Sequence, residues 1–111
     1  MNIKILELIG DRATDMKQGD EIYNYIIEGF KNGEIVYVDF AGLNTVLSTF
    51  LNNAIGTLYK DYESAFLNAN LKILNLCEED LFVLRRVIKR AKEFYRNEVI
   101  VTNVLNEKYS E

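Results

Sequence analysis

The stretch Glu34-Ile35-Val36-Tyr37-Val38-Asp39-Phe40, followed by Ala41–Thr49 and then Phe50–Lys60, decides how this 111-residue chain is read. Its first part is an apolar, β-branched and aromatic run of strand length, as expected where both faces of a sheet are covered. Its last part spaces Phe50, Leu51, Ala54, Ile55, Leu58 and Tyr59 at helical intervals. The loop between them delivers Ser48 and Thr49 to the start of that helix. The rest of the chain reads as support for this strand–loop–helix unit.

Upstream, Ile3, Ile5, Leu6, Leu8 and Ile9 predict a short strand ended by Gly10-Asp11, and residues 11–19 a polar loop. A helix then opens with Asp20 as N-cap, buries Ile22, Tyr23, Ile26, Ile27 and Phe30, and closes at Asn32-Gly33. Gly56 implies a close approach of the second helix to the sheet, and that helix is expected to run a turn or so past Tyr62. Downstream, Leu71–Leu76 is another strand. Glu78-Glu79-Asp80 starts the longest helix, whose core stripe is Leu84, Val87, Ile88, Ala91, Phe94 and Tyr95. Val99–Val104 has strand propensity and predicts an edge strand, through which two copies could pair as a homodimer. The expectation is one α/β domain over residues 1–105, with about four strands in a mixed sheet, three helices and a fraying end at 106–111.

Composition narrows the chemistry. At 49% hydrophobic and 27% charged, the chain is of ordinary globular make-up and long enough to bury a core without staples. It has no histidine, so neither a Ser–His nor a Cys–His nucleophile can be assembled within it. The common Cys/His zinc sites are excluded as well. The six glycines fit neither the dinucleotide fingerprint nor the phosphate-cradling loop. No run approaches the length of a membrane span, and the N-terminus lacks the pattern of a secretion signal. The expectation is a cytoplasmic, non-enzymatic protein without a cofactor. Its one cysteine, Cys77, is expected to be a small buried residue at a strand end.

Three places hold candidate chemistry. Ser48 and Thr49 either cap the helix or stand as regulated hydroxyls, since a phosphate there would meet the positive end of a helix. The last helix gathers Arg85, Lys89, Lys92 and Arg96 on one face with Arg86 and Arg90 beside them, and no aromatic residue is expected among them. Residues 78–96 hold six Lys/Arg against four acids in a chain of net charge −4. A solvated face or a dock for an acidic protein is expected there; a pI of 4.9 argues against nucleic acid. Asp39, at a strand end, is expected to accept backbone N–H bonds from the Gly42 turn.

Val38-Asp39-Phe40-Ala41-Gly42-Leu43, followed by Ser48-Thr49-Phe50, resembles the bacterial STAS-like domain family, related in pattern to the STAS domains of anti-sigma-factor antagonists. In those antagonists a strand leads to Asp-Ser-Ser-Gly at the start of a helix, and a kinase of the GHKL ATP-binding class phosphorylates the first serine. Laid on this chain, the two serines fall on Ser48 and Thr49, while Leu47 stands for the aspartate and Phe50 for the glycine. The resemblance implies a regulatory protein-binding module. Its contact surface would comprise Leu47, Ser48, Thr49, Phe50, Asn52 and Asn53, its partner a GHKL-type ATP-binding kinase or regulator, and Ser48 or Thr49 the phosphoacceptor. Two rival expectations stand beside it. One is an inhibitor, of phage or other origin, that binds an acidic target through the basic helix. The other is a small-ligand-binding α/β domain that uses Asp39.

Overall fold

A computed structural model describes the backbone of residues 1–110 and the side chains of residues 1–95. Strands β1 (Asn2–Lys4), β3 (Val36–Asp39) and β5 (Leu71–Leu74) form a sheet in the order β1-β3-β5. Every pairing in it is parallel, with Ile3 beside Val38 and Val38 beside Ile73. Two further short strands, β2 (Arg12–Ala13) and β4 (Thr45–Val46), pair in parallel as a separate sheet. The expected single mixed sheet of about four strands is therefore corrected to two parallel ones, the larger of three strands.

The alternation of β3 shows which face carries the core. Val36 and Val38 are fully buried, whereas Tyr37 between them is exposed. Ile3 joins the buried face, and Asn2 and Lys4 join Tyr37 on the other. The expectation that both faces are covered fails at Tyr37: the core lies on one side only.

Helix α1 (Ile5–Ile9) takes over where a longer first strand was expected. The apolar positions 5, 8 and 9 fit a helical turn as well as a strand, and so short a run cannot be told apart by periodicity. Helix α2 (Met16–Lys31) starts four residues before the expected cap. Its N-cap is Asp15: the carboxylate accepts from Gln18 N–H at 2.8 Å, and Gln18 Oε1 accepts from Asp15 N–H at 3.2 Å. That reciprocal pair satisfies N–H groups the helix itself cannot use. At the far end Gly33, at φ +72°, closes the helix as expected.

Ser48–Leu51 (α3), a π-helical turn at Asn52–Gly56 and Leu58–Asp61 (α4) follow one another with helical dihedrals at the junctions. Together they are the second expected helix. It stops at Tyr62, which is extended and lodges its ring among Phe30 and Phe66, with centroids 5.1–5.2 Å apart. A separate helix α5 (Ser64–Asn70) leads into β5.

Helix α6 runs over Glu78–Ser110. The edge strand expected at Val99–Val104 is thus helical, and with it falls the edge through which two copies were to pair. No glycine or proline lies within α6, and a nucleated helix can propagate through β-branched residues of only slightly lower propensity. Glu111, at the end expected to fray, lies outside the described residues.

The core is one cluster in which Ile5, Ile22, Ile26, Phe50, Ile55 and Leu84 are almost wholly shielded from water. Glycine permits a close helix–helix crossing within it. A Cβ on Gly19 would stand 2.7 Å from the Phe50 carbonyl oxygen, so α2 and α3 meet backbone to backbone there. Gly56 serves a similar purpose against α6, where a Cβ would stand 3.3 Å from Val87 Cγ1. Its expected approach to the sheet is corrected to an approach to α6.

Candidate functional site

The pairing of β2 with β4 sets the starts of α2 and α3 side by side. Leu47 N–H donates to the Ala13 carbonyl at 2.9 Å, and α3 begins at the next residue. Leu47 itself is the N-cap and offers the helix no side-chain acceptor. Ser48 and Thr49 stand one and two positions inside the helix, both exposed, so the capping role expected for them is not the one they occupy.

The six expected contact residues divide by burial. Leu47 is 46% exposed, Ser48, Thr49 and Asn52 are also exposed, and Phe50 is completely buried beneath them. Phe50 therefore anchors the turn from inside and presents nothing to a partner. Asn53 is half-buried, and its amide donates to Asp20 Oδ1 at 2.9 Å, tying the π-turn to α2. Met16, on the first turn of α2, is 57% exposed and was not singled out from the sequence. The signal was available in the Asp15–Gln18 capping box, which fixes Met16 as the first helical residue.

The π-turn has its own local chemistry. Thr57 N–H bonds to the Asn52 carbonyl five residues back, at 3.0 Å. The wider turn leaves the Asn53 carbonyl to the Thr57 hydroxyl, which donates to it at 2.7 Å.

Asp39 accepts from Ala41 N–H at 2.9 Å, a bond of the kind expected from the Gly42 turn. It also accepts from Asn75 Nδ2 at 2.8 Å, across 36 residues of sequence. The Asn75 amide, with Ala41 N–H behind it, holds the Asp39 carboxyl below the usual carboxylate range. Asn75 reaches this position with φ at +59°, the one positive value outside glycine among the described residues.

On α6, Arg85, Lys89 and Lys92 are exposed as expected, while the Arg96 side chain lies outside the described residues. Three corrections follow. Phe94, expected in the core stripe, is 64% exposed; Phe82 is 60% exposed, with the Arg86 guanidinium 6.0 Å from its ring centroid. Aromatic residues therefore do interleave with the cations. Cys77, expected buried, is an exposed free thiol. Among the described residues the one ion pair joins the terminal amine to Glu34 at 3.9 Å, and it involves none of the α6 cations. Among the described residues, no group of three or more His, Cys, Asp or Glu is placed to hold a metal, and no helix is long and apolar enough to cross a membrane.

Comparison with known families gives the same placement as the strand–loop–helix unit. Residues 18–81 match the STAS-like domain of unknown function (DUF4325). The chain belongs to this family. The matched segment runs from the first turn of α2 to the first turn of α6 and contains the whole exposed head of α3 in this STAS-like domain. No curated protein and no solved structure gave a match.

Proposed function

We propose that this STAS-like domain is a non-enzymatic regulatory module that works by binding another protein through the exposed head of α3. The observation that carries the reading is the exposure of Leu47, Ser48 and Thr49 above a fully buried Phe50. A rigidly anchored turn that shows an apolar side chain beside two hydroxyls suits recognition, because little ordering is left to be done on binding. Leu47, where the antagonists carry an aspartate, supplies apolar contact there. By family resemblance the partner is a GHKL-type ATP-binding kinase or regulator in the cytoplasm, with Ser48 as the modified hydroxyl and Thr49 as its neighbour.

A phosphate on Ser48 is compatible with the fold, since it would lie at the positive end of a helix and in solvent. A partner packed over it would face about two negative charges. Ser48→Asp is therefore expected to leave the melting temperature within about 2 °C of wild type, as for surface substitutions of small energetic effect. The same change should weaken capture of the partner in a pull-down, as should Leu47→Ala. Unchanged capture by both variants would place the contact surface elsewhere.

A second reading is favoured by Phe82 and Arg86: inhibition of an acidic target through the outer face of α6. Charge reversal at Arg85, Lys89 and Lys92 would abolish that activity and spare binding at the α3 head. A small-ligand role for Asp39 has less support, because its carboxylate is already engaged by Ala41 and Asn75.

A further inference from the structure

Between the π-turn and α6 lies a groove of about 240 Å³, with Gly56 in its lining. Asn52 and Thr57 line it from the π-turn side, Arg90 and Phe94 from α6. It adjoins the head of α3, because Asn52, which lines it, is exposed one helical turn after the exposed Ser48. The absence of a Cβ at Gly56 keeps this groove open as well as letting α6 approach.

Three observations define what would fill it. Its volume falls below the roughly 300–1,000 Å³ of small-molecule sites and suits one large apolar side chain. Residues 81–92 carry five cations and no acid, bordered by Asp80 and Glu93, and of the five Arg90 lines the groove. Arg90 is exposed, and among the described side chains no carboxylate pairs with it. Phe94, 64% exposed, offers an aromatic wall beside that cation. Exposed aromatic and arginine side chains in one concavity are the composition of interface anchors. A net charge of −4 and a pI of 4.9 disfavour a nucleic-acid backbone, whereas a single peptide carboxylate needs only Arg90.

We infer that the groove between the π-turn and α6 receives an acidic segment of a partner protein. The segment seats an apolar side chain between Gly56 and Phe94 and sets a carboxylate, one helical turn away in its own sequence, against Arg90. The inference deepens the reading of the α3 head as a contact surface and rests on it, since the groove continues that surface across Asn52.

The test is to pan a displayed library of random peptides, about four helical turns long, on the immobilised full-length protein. Enriched sequences are then synthesised and their affinities measured by fluorescence anisotropy. The expected result is enrichment of Asp or Glu three or four positions from Phe, Leu or Met. Binding should fall at least about tenfold with Arg90→Glu, the loss that removing a desolvated charge pair brings. Phe94→Ser should also weaken it; both positions are exposed, so each variant is expected to fold. Enrichment without acids, no enrichment, equal affinity for Arg90→Glu, or tighter binding of a single-stranded oligonucleotide of equal length would each overturn the inference. Ser48→Asp keeps the two proposals apart. Peptides sensitive to Ser48→Asp and indifferent to Arg90→Glu would support the α3 head and overturn the groove.

Discussion

At the scale of single residues, Asp39 and Asn75 illustrate how a distant partner changes what a side chain does. Asp39 was legible as a strand-end carboxylate that accepts backbone N–H bonds, because a turn residue two positions on always offers one. Asn75 was not legible: it lies 36 residues away, and only the parallel register of β3 with β5 brings it across. Asn75→Gly keeps the positive φ and removes the amide. Asp39 titrates below its ordinary value in the fold, so its contribution to stability is present above the unfolded pKa and is lost as pH falls through the folded one. The variant should therefore show Asp39 titrating closer to the ordinary carboxylate value by NMR. It should also show a smaller loss of melting temperature between neutral and acid pH than wild type. An unshifted titration would mean that Ala41 N–H alone sets the value. Leu47 makes the complementary point. Its type was read as a departure from a motif, but its exposure, which decides its use, depends on where β4 ends.

At the scale of elements, crossings set the architecture, and glycine sets the crossings. The strand–loop–helix unit, α2 and α6 were legible because each carries a period or a strand-length run. The capping box at Asp15–Gln18 was equally legible in type, yet the polarity of residues 11–19 read as loop. What no local pattern could give was the partner of each helix. Gly19 reads as the last residue of a loop, yet it lies inside α2 with the Phe50 carbonyl where a side chain would go. Gly19→Ala must push α2 off α3 or shift backbone, so a loss of about 1–3 kcal/mol is expected despite alanine's better helix propensity. Denaturant unfolding would measure it, and a gain in stability would refute the tight crossing. The π-turn makes a subtler prediction. Thr57→Val preserves shape and removes the hydroxyl that satisfies the Asn53 carbonyl, at a cost of about 1 kcal/mol. Thr57→Ser should recover most of it. The expected Val99–Val104 strand failed for a related reason: propensity was weighed residue by residue, while an uninterrupted helix propagates as a unit.

At the scale of the whole molecule, charge is segregated rather than paired. The chain carries 17 acids and 13 Lys/Arg, yet among the described residues no Lys or Arg pairs with an acid, and the one ion pair joins the terminal amine to Glu34. Stability must then come from the apolar cluster beneath one face of the sheet, and surface electrostatics should count for little. Raising NaCl from about 0.05 M to about 0.5 M shortens the screening length to a few ångströms. The unfolding free energy is expected to change by less than about 1 kcal/mol, with any change a gain from relieved repulsion in an anionic chain. The pH dependence follows from the same inventory. With no histidine, no side chain of ordinary pKa changes charge near neutrality, so stability should be flat there. At the alkaline end two half-buried tyrosines contribute. Burial pushes Tyr59 and Tyr23 above 10.0, so their contribution is intact below that value and is lost as pH rises through the folded pKa. Tyr59→Phe removes one of the two groups and should move the alkaline unfolding midpoint upward, as followed by circular dichroism. A midpoint unchanged or lowered would mean that the Tyr59 ring, with Lys92 5.8 Å from its centroid, keeps enough water to ionise without opening the fold.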